Sequence, residues 1–405
     1  MATLPISADG QAIALACSSL ASQGDRSLKP LTPTEWRKLA GDLHAAELRP
    51  RDLIGMPTEE IREALGYTRD GADRLVGLLS RGGQLAIELE RLASRGIWLL
   101  TRADEGYPPL LKLRLGPQAP PVLFGAGPQS ALRAPAIAIV GSRDVDEDGL
   151  EFSSALGRRC AEEGFTVVSG AARGVDLTAM NGAVARAGGA VGVTVDTLEQ
   201  LVGRKELRAA IADELLTLTT PFHPAARWHA GNAMRRNRLI YALAQAAVVV
   251  ASSPEKGGTR SGALENLKAN WVPLFVRDDG SPGNRQLIAE GGRPMPDPDP
   301  SAVNVARLTE DPRRTLLPVA VDEEKPQDET MLQDTVFEVA WPILCPFLRE
   351  PRGEREVAER FELELTQART WLKRAAAEGR VEVKKRPKRY LLPGASVDQL
   401  RIDGA

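Results

Sequence analysis

Between Ala136 and about Glu290, short apolar runs alternate with stretches of helical character. This rhythm narrows the possible fold more than any other feature of the chain. The runs are Ala136–Val140, Thr166–Ser169, Ala190–Val195, Leu215–Thr219, Ala247–Ala251 and Val272–Val276. They are near-continuously apolar, which implies strands buried on both faces rather than half-exposed ones. Most of the intervening segments are long enough to be crossover helices. The expected class is therefore α/β, with a parallel sheet at the core.

Three of these runs lead into glycine-containing loops, each followed by a helical pattern. The first is Gly141-Ser142-Arg143. The second is Ser169-Gly170-Ala171-Ala172-Arg173-Gly174-Val175-Asp176. The third is Lys256-Gly257-Gly258-Thr259-Arg260-Ser261-Gly262. In an open parallel sheet, ligands bind beyond the carboxyl ends of the strands, where all three loops are expected. Glycine admits close backbone approach, helix N-termini offer free N–H groups to anions, and arginine meets phosphate through a planar fork of donors. One such loop alone is no more than a tight strand-to-helix turn. Three of them, carrying Arg143, Arg173 and Arg260, point to a phosphate site. Arg235-Arg236-Asn237-Arg238 opens a further helix, where positive charge crowds at the positive end of the helix dipole unless an anion is bound. Phe222 and Trp228 lie just upstream, either as stacking surfaces for unpaired bases or as packing anchors.

Composition excludes several classes. Apolar residues make up 43% and charged residues 26%, the range of a soluble folded protein. The formal net charge of −2 means that any nucleic-acid surface must come from segregated charge. Cys17, Cys160 and Cys345 lie far apart, with no metal-ligand spacing and no disulfide framework, so no metal is expected and a cytoplasmic location fits. No secretory signal is read at the N-terminus, and no apolar run approaches the roughly 20 residues of a membrane span. No Gly-x-Gly-x-x-Gly follows the first strand, which argues against a dinucleotide-dependent oxidoreductase. No nucleophile–base pair is evident, so catalysis and a cofactor are not expected.

The flanks have a different character. Residues 1–95 read as a small helical (SAM-like) domain, with little period in 1–30. Its helices are expected from Thr34 as cap, from Thr58 to Leu65, and from Gly71 to Leu92. Residues 96–292 form the α/β domain, entered through short strands and turns. Residues 293–330, rich in proline and acid, read as a linker. Residues 331–405 look like a winged helix. Its basic hairpin, with Lys384, Lys385, Arg386, Lys388 and Arg389, would serve either backbone DNA contacts or protein contacts.

The order Gly141-Ser142-Arg143, Ser169-Gly170-x-Ala172-x-Gly174-x-Asp176, Arg236-Asn237-Arg238-x-Ile240, then Gly258-Thr259 resembles the DprA/Smf family of DNA-processing proteins. Tyr107-Pro108 and Pro121-Val122-Leu123-Phe124 add to the likeness. The resemblance covers about Leu99 to Glu290. It implies an extended Rossmann-like fold that binds single-stranded DNA in a basic pocket, forms homodimers, and helps to load a RecA-type recombinase during DNA uptake. It also implies that Arg143, Ser169, Gly170, Arg173, Arg236, Asn237 and Arg238 belong to the pocket. Asp176 is expected to be structural, accepting backbone N–H bonds. The chain departs from the family pattern at Met180, at Met234-Arg235 and in the third loop, so it is a divergent member. Two other readings stay open: a regulatory partner of a toxin in a phage-defence operon, and a phosphoribohydrolase-like enzyme using Glu265 as acid/base.

Overall fold

The computed structural model describes residues 6–22, 28–255, 257–310, 341, 344–361, 365–385 and 388–393. The chain divides into two compact units, 1–316 and 317–405. The first opens with α1 (Ala8–Cys17), α2 (Pro33–Ala45), α3 (Thr58–Leu65), α4 (Arg69–Leu79) and α5 (Gly82–Ala93). Then follow β1 (Ile97–Thr101), α6 (Pro109–Leu115), β2 (Val122–Ala126), β3 (Ala136–Gly141), α7 (Glu147–Glu162), β4 (Thr166–Ser169), α8 (Val175–Val184) and β5 (Ala190–Val193). The unit continues with α9 (Leu198–Leu201), α10 (Lys205–Ala212), β6 (Leu216–Thr220), α11 (Ala230–Leu243), β7 (Ala246–Ala251), α12 (Gly258–Ala269), β8 (Leu274–Val276), α13 (Pro282–Ala289), β9 (Arg293–Pro294) and α14 (Val305–Thr309).

The strands form one nine-stranded sheet in the order β1-β2-β6-β5-β4-β3-β7-β8-β9. β1 and β2 run antiparallel to each other, β2 runs antiparallel to β6, and every other pairing is parallel. From β3 the chain winds outward through β4, β5 and β6, then returns to place β7 on the other side of β3. The direction of winding therefore reverses between β3 and β7, and such a switch leaves a crevice at the carboxyl ends of the two strands. Pairing across it shifts register between Val140 and Gly141, and Ser142 N–H then donates to the Ala251 carbonyl at 2.9 Å. The shift re-aims the first glycine loop.

Burial on both faces explains the continuous apolar runs. Ile137 and Ile139 point into a core shared with Phe152 of α7 and Met180 of α8. Ala138 and Val140 point into a second core with Leu239 of α11 and Ala263 of α12. The N-terminal helices are part of the first core: Leu15, Leu39 and Leu75 belong to the same buried cluster as Phe124 and Val167.

Several local expectations are corrected. Helix α1 lies where little period was read, because it is buried on nearly all sides from Ala12 to Ala16 and has no polar face to show. The cap of α2 is Thr32, not Thr34. Thr32 Oγ1 accepts from Glu35 N–H at 3.2 Å and Glu35 returns to Thr32 N–H at 2.7 Å, while Pro33 at the first helical position needs no N–H partner. The single helix expected over 71–92 is broken at Ser80-Arg81 into α4 and α5. The start of the expected linker, residues 293–310, packs on the first unit. β9 extends the sheet, Val303, Val305 and Leu308 are buried, and Glu163 accepts from the N–H groups of Val305 and Ala306 at 3.1 and 3.0 Å. Residues 311–330 lie outside the described residues.

In the second unit, helices Glu354–Arg360 and Leu365–Ala377 precede an antiparallel hairpin of β10 (Glu382–Lys385) and β11 (Lys388–Leu391). Leu348, Val357, Ala368, Leu372 and Tyr390 form its core. Among the described residues no helix is long and apolar enough to cross a membrane.

Candidate nucleic-acid interface

The crevice at the switch point has a volume of about 370 Å³. Gly141, Ser142 and Arg143 form one wall, Gly257, Gly258 and Thr259 another, and α11 closes it. α11 meets the crevice with Ala230, Ala233, Met234, Arg236, Asn237, Ile240 and Tyr241, the one-face spacing of a helix.

Beneath the loops, Arg236 and Asp176 are buried near one another as opposite charges, without a direct ion-pair contact. Arg236 is 6% and Asp176 7% exposed. Asp176 accepts the backbone N–H groups of Gly141 and Ala172, so it ties the first two loops together as a structural carboxylate. Burial pushes its carboxyl above the ordinary aspartate range, against the opposing pull of Arg236 and of these hydrogen bonds. The Ser169 hydroxyl beside it is fully buried and donates to the Ile139 carbonyl at 2.5 Å. Gly170 sits tightly here: a Cβ at that position would lie 1.8 Å from Arg236 Nη1 and 2.5 Å from Asp176 Oδ2, so those side chains would have to shift. Gly174, at φ +83°, lets the start of α8 press against the Ser142 and Arg143 carbonyls, 2.6 and 2.7 Å from where a Cβ would stand. Arg236 Nε is buried and has no hydrogen-bond partner among the described residues. The Arg236 side chain also lines the crevice, which places a cationic group at its foot.

The upper part of the site is open. Arg143 is exposed and makes no ion pair or hydrogen bond among the described residues. α8 and α12 both have glycine at the cap position, Gly174 and Gly257, so neither has a side-chain cap, and the start of α12 at Gly258 lines the crevice with its free N–H groups. Asn237 Nδ2 donates to the Gly258 carbonyl at 2.9 Å and holds that loop. Trp228, 51% exposed, and Met234 stand at the mouth, offering an aromatic face and a polarisable one.

Four of the expected arginines are placed elsewhere. Arg173 lies outside the crevice lining, 74% exposed and paired with Asp144 at 2.7 Å. Arg260 is turned toward α13, where its largely buried side chain pairs with Glu290. Arg235 and Arg238 flank the Arg236-Asn237 pair along α11, and the turn of the helix carries them to another face. There Arg235 covers the Phe222 ring at 5.6 Å, and Arg238 pairs with Glu265 at 2.8 Å and Gln118 at 2.9 Å. Glu265 is thus engaged and does not line the crevice. Phe222 and Trp228, which sequence left as equivalents, separate: only Trp228 borders the crevice. Ser253, just past β7, lines it too, and its place beyond a strand end was the one signal for it. Lys256 lies outside the described residues.

In the hairpin, Lys384 is exposed, Lys385 and Lys388 are opposite one another in register, and Arg386 lies outside the described residues. Arg389 is drawn back onto Glu356, at 2.6 and 2.7 Å, so its charge is balanced within the unit.

The sequence between residues 98 and 304 matches the family model of DNA recombination-mediator protein A. The chain belongs to that family. Protein Smf of Synechocystis sp. is 30% identical over 208 residues, half of this chain and half of that protein. A putative DNA processing protein DprA of Mycobacterium tuberculosis is 30% identical over 277 residues, 63% of this chain and 66% of the relative. The chain spans about half the length of the Smf relatives it matches. The solved structure of DNA processing protein A from Streptococcus pneumoniae superposes with a TM-score of 0.52 at 18% identity, covering 73% of this chain and 97% of that one. At that identity the likeness speaks to the fold. The matched segment contains every loop of the crevice and stops short of the second unit.

Proposed function

We propose that this chain binds single-stranded DNA in the crevice at the β3–β7 switch and acts as a recombination mediator, by holding a strand rather than by catalysis. The observation that carries the reading is Arg236: a guanidinium at the foot of a crevice, one wall of which is the uncapped start of α12 with its free N–H groups. Phosphate satisfies such a donor set, and Arg143 at the wall supplies a second, freely exposed cation. Trp228 gives an adjoining base a face to stack on, which favours an unpaired strand over a duplex whose bases are already stacked.

Membership of the recombination-mediator family supports delivery of the strand to a RecA-type recombinase, by a homodimer. Two features support a non-catalytic role. Asp176 is consumed by backbone N–H groups and Arg236, and Glu265, the acid/base that a nucleotide-hydrolysing reading requires, is paired with Arg238 away from the crevice.

The test is anisotropy of a labelled single-stranded oligonucleotide with the full chain, competed with duplex and with AMP. Salt-sensitive binding that resists both competitors is expected. Displacement by AMP at comparable concentration would assign the crevice to a mononucleotide instead.

A further inference from the structure

A second cavity, of about 360 Å³, lies on the other side of α11, between that helix and the N-terminal helices. Arg37 of α2 and Arg235 and Arg238 of α11 line it, together with Phe222 and five prolines, and no carboxylate is among its lining residues. Its size falls within the range of small-ligand sites. Its walls combine flat apolar surface with cations. Arg235 spreads over the Phe222 ring at 5.6 Å. Arg238 is braced by Gln118 and Glu265 through its terminal nitrogens, while its Nε is buried without a hydrogen-bond partner. Arg37 and Arg235 are exposed and have no ion-pair partner among the described residues. Arg37 and Arg235, beside a half-buried aromatic ring and with no acid lining the space, leave positive charge that an entering anion neutralises, whereas Arg238 is already balanced by Glu265.

From these contacts we infer that the cavity is a second nucleotide subsite, which takes a base and phosphate of the same strand that the crevice holds. This rests on the single-strand reading of the crevice. The two sites are separated only by α11, whose one face carries Arg236 and Asn237 and whose other carries Arg235 and Arg238. A helix is about 10–12 Å across with its side chains, so the path round half of its girth is roughly 16–19 Å, which about five nucleotides at about 3.4 Å each can cover. The strand therefore wraps the N-terminal half of α11. Phosphates meet arginine on both sides, and bases stack on Trp228 at one end and in the Phe222 cavity at the other. The N-terminal helices thereby become part of the binding surface, through Arg37.

The experiment compares the full chain with its Arg37→Ala/Arg235→Ala variant, by anisotropy with oligothymidylates of about 4 and about 15 nucleotides, the range over which single-strand sites fill. Both arginines are exposed, so folding is expected to be retained, and circular dichroism checks it. In the wild-type chain the longer strand binds more tightly than the shorter. In the variant that advantage is expected to shrink about tenfold, the worth of one charge-assisted hydrogen bond. An advantage equal to the wild type's overturns the second subsite while leaving the crevice intact. An equal loss for both lengths also overturns it, by showing a diffuse field effect. Absence of binding by the wild-type chain to either strand overturns the crevice reading itself, and this inference with it.

Discussion

The guanidinium of Arg236 occupies the space that a side chain on residue 170 would need; a Cβ on Gly170 would lie 1.8 Å from its Nη1. The second glycine loop and α11 are thus fitted to each other at one atom. Gly170→Ala is expected to push Arg236 out of place, with an overpacking cost of about 1–3 kcal/mol and a loss of strand binding. Urea unfolding and anisotropy check it together. Full stability and full binding would show that the guanidinium has room to move.

Arg236 and Asp176 are both buried, so removing either leaves the other without its counter-charge. Arg236→Met is expected to cost about 3–5 kcal/mol. Combining it with Asp176→Asn should recover part of that loss. A double-mutant cycle in urea measures the coupling, and strictly additive losses would mean that the two groups do not sense each other.

Arg143 is the exposed cation at the crevice wall, whereas Arg173 is engaged with Asp144. Arg143→Ala is expected to weaken single-strand binding about tenfold with no change in stability. The salt slope should fall by about 0.7 for each phosphate that Arg143 neutralises. Arg173→Ala should have the smaller effect. The reverse ranking in a salt titration would move the strand toward α8.

Acid should loosen the seam between the N-terminal helices and the sheet. The Glu199 carboxylate receives Arg91 at 3.0 and 3.2 Å and Arg95 at 2.7 Å, and the hydrogen bonds from Arg91 lead in holding it below the usual glutamate range. A carboxyl depressed in the folded state contributes stability that is fully present above its unfolded value, about 4.3, and is lost as the pH falls toward the depressed folded value. Glu199→Gln should therefore be less stable than the wild type at neutral pH, and the gap should close as the pH drops below that value. A gap that stays constant with pH would locate the effect in packing.

Residues 1–316 form a compact unit by themselves. Removal of 317–405 is expected to leave a soluble protein that binds single strands within a few-fold of the full chain. Complete loss of binding would place the site in the second unit, on the hairpin that carries Lys384.

Much of this was legible in the sequence because strands buried on both faces announce themselves: Ala136–Val140 and Ala247–Ala251 differ by at most one residue at either end from β3 and β7. The three loops were legible for a related reason, since glycine after a strand marks a place where backbone must pass close to something. What sequence could not divide was the cluster on α11. Arg235, Arg236 and Arg238 are alike as residue types, and only helical phase sends Arg236 into the crevice and the other two to the far cavity. Arg260 was misplaced for a similar reason, since its partner, Glu290, lies 30 residues away. Helix α1 escaped notice because burial on all sides erases the amphipathic period by which helices are recognised.

The central claim is that phosphate is held by Arg236 and the glycine loops at the β3–β7 switch. Its most direct test is a salt-titrated anisotropy measurement of single-stranded DNA binding by the wild-type chain and by Arg143→Ala, side by side. The account predicts salt-sensitive binding by the wild type, and weaker binding with a shallower salt slope in the variant. Identical curves for the two proteins would contradict it and place the strand elsewhere on the molecule.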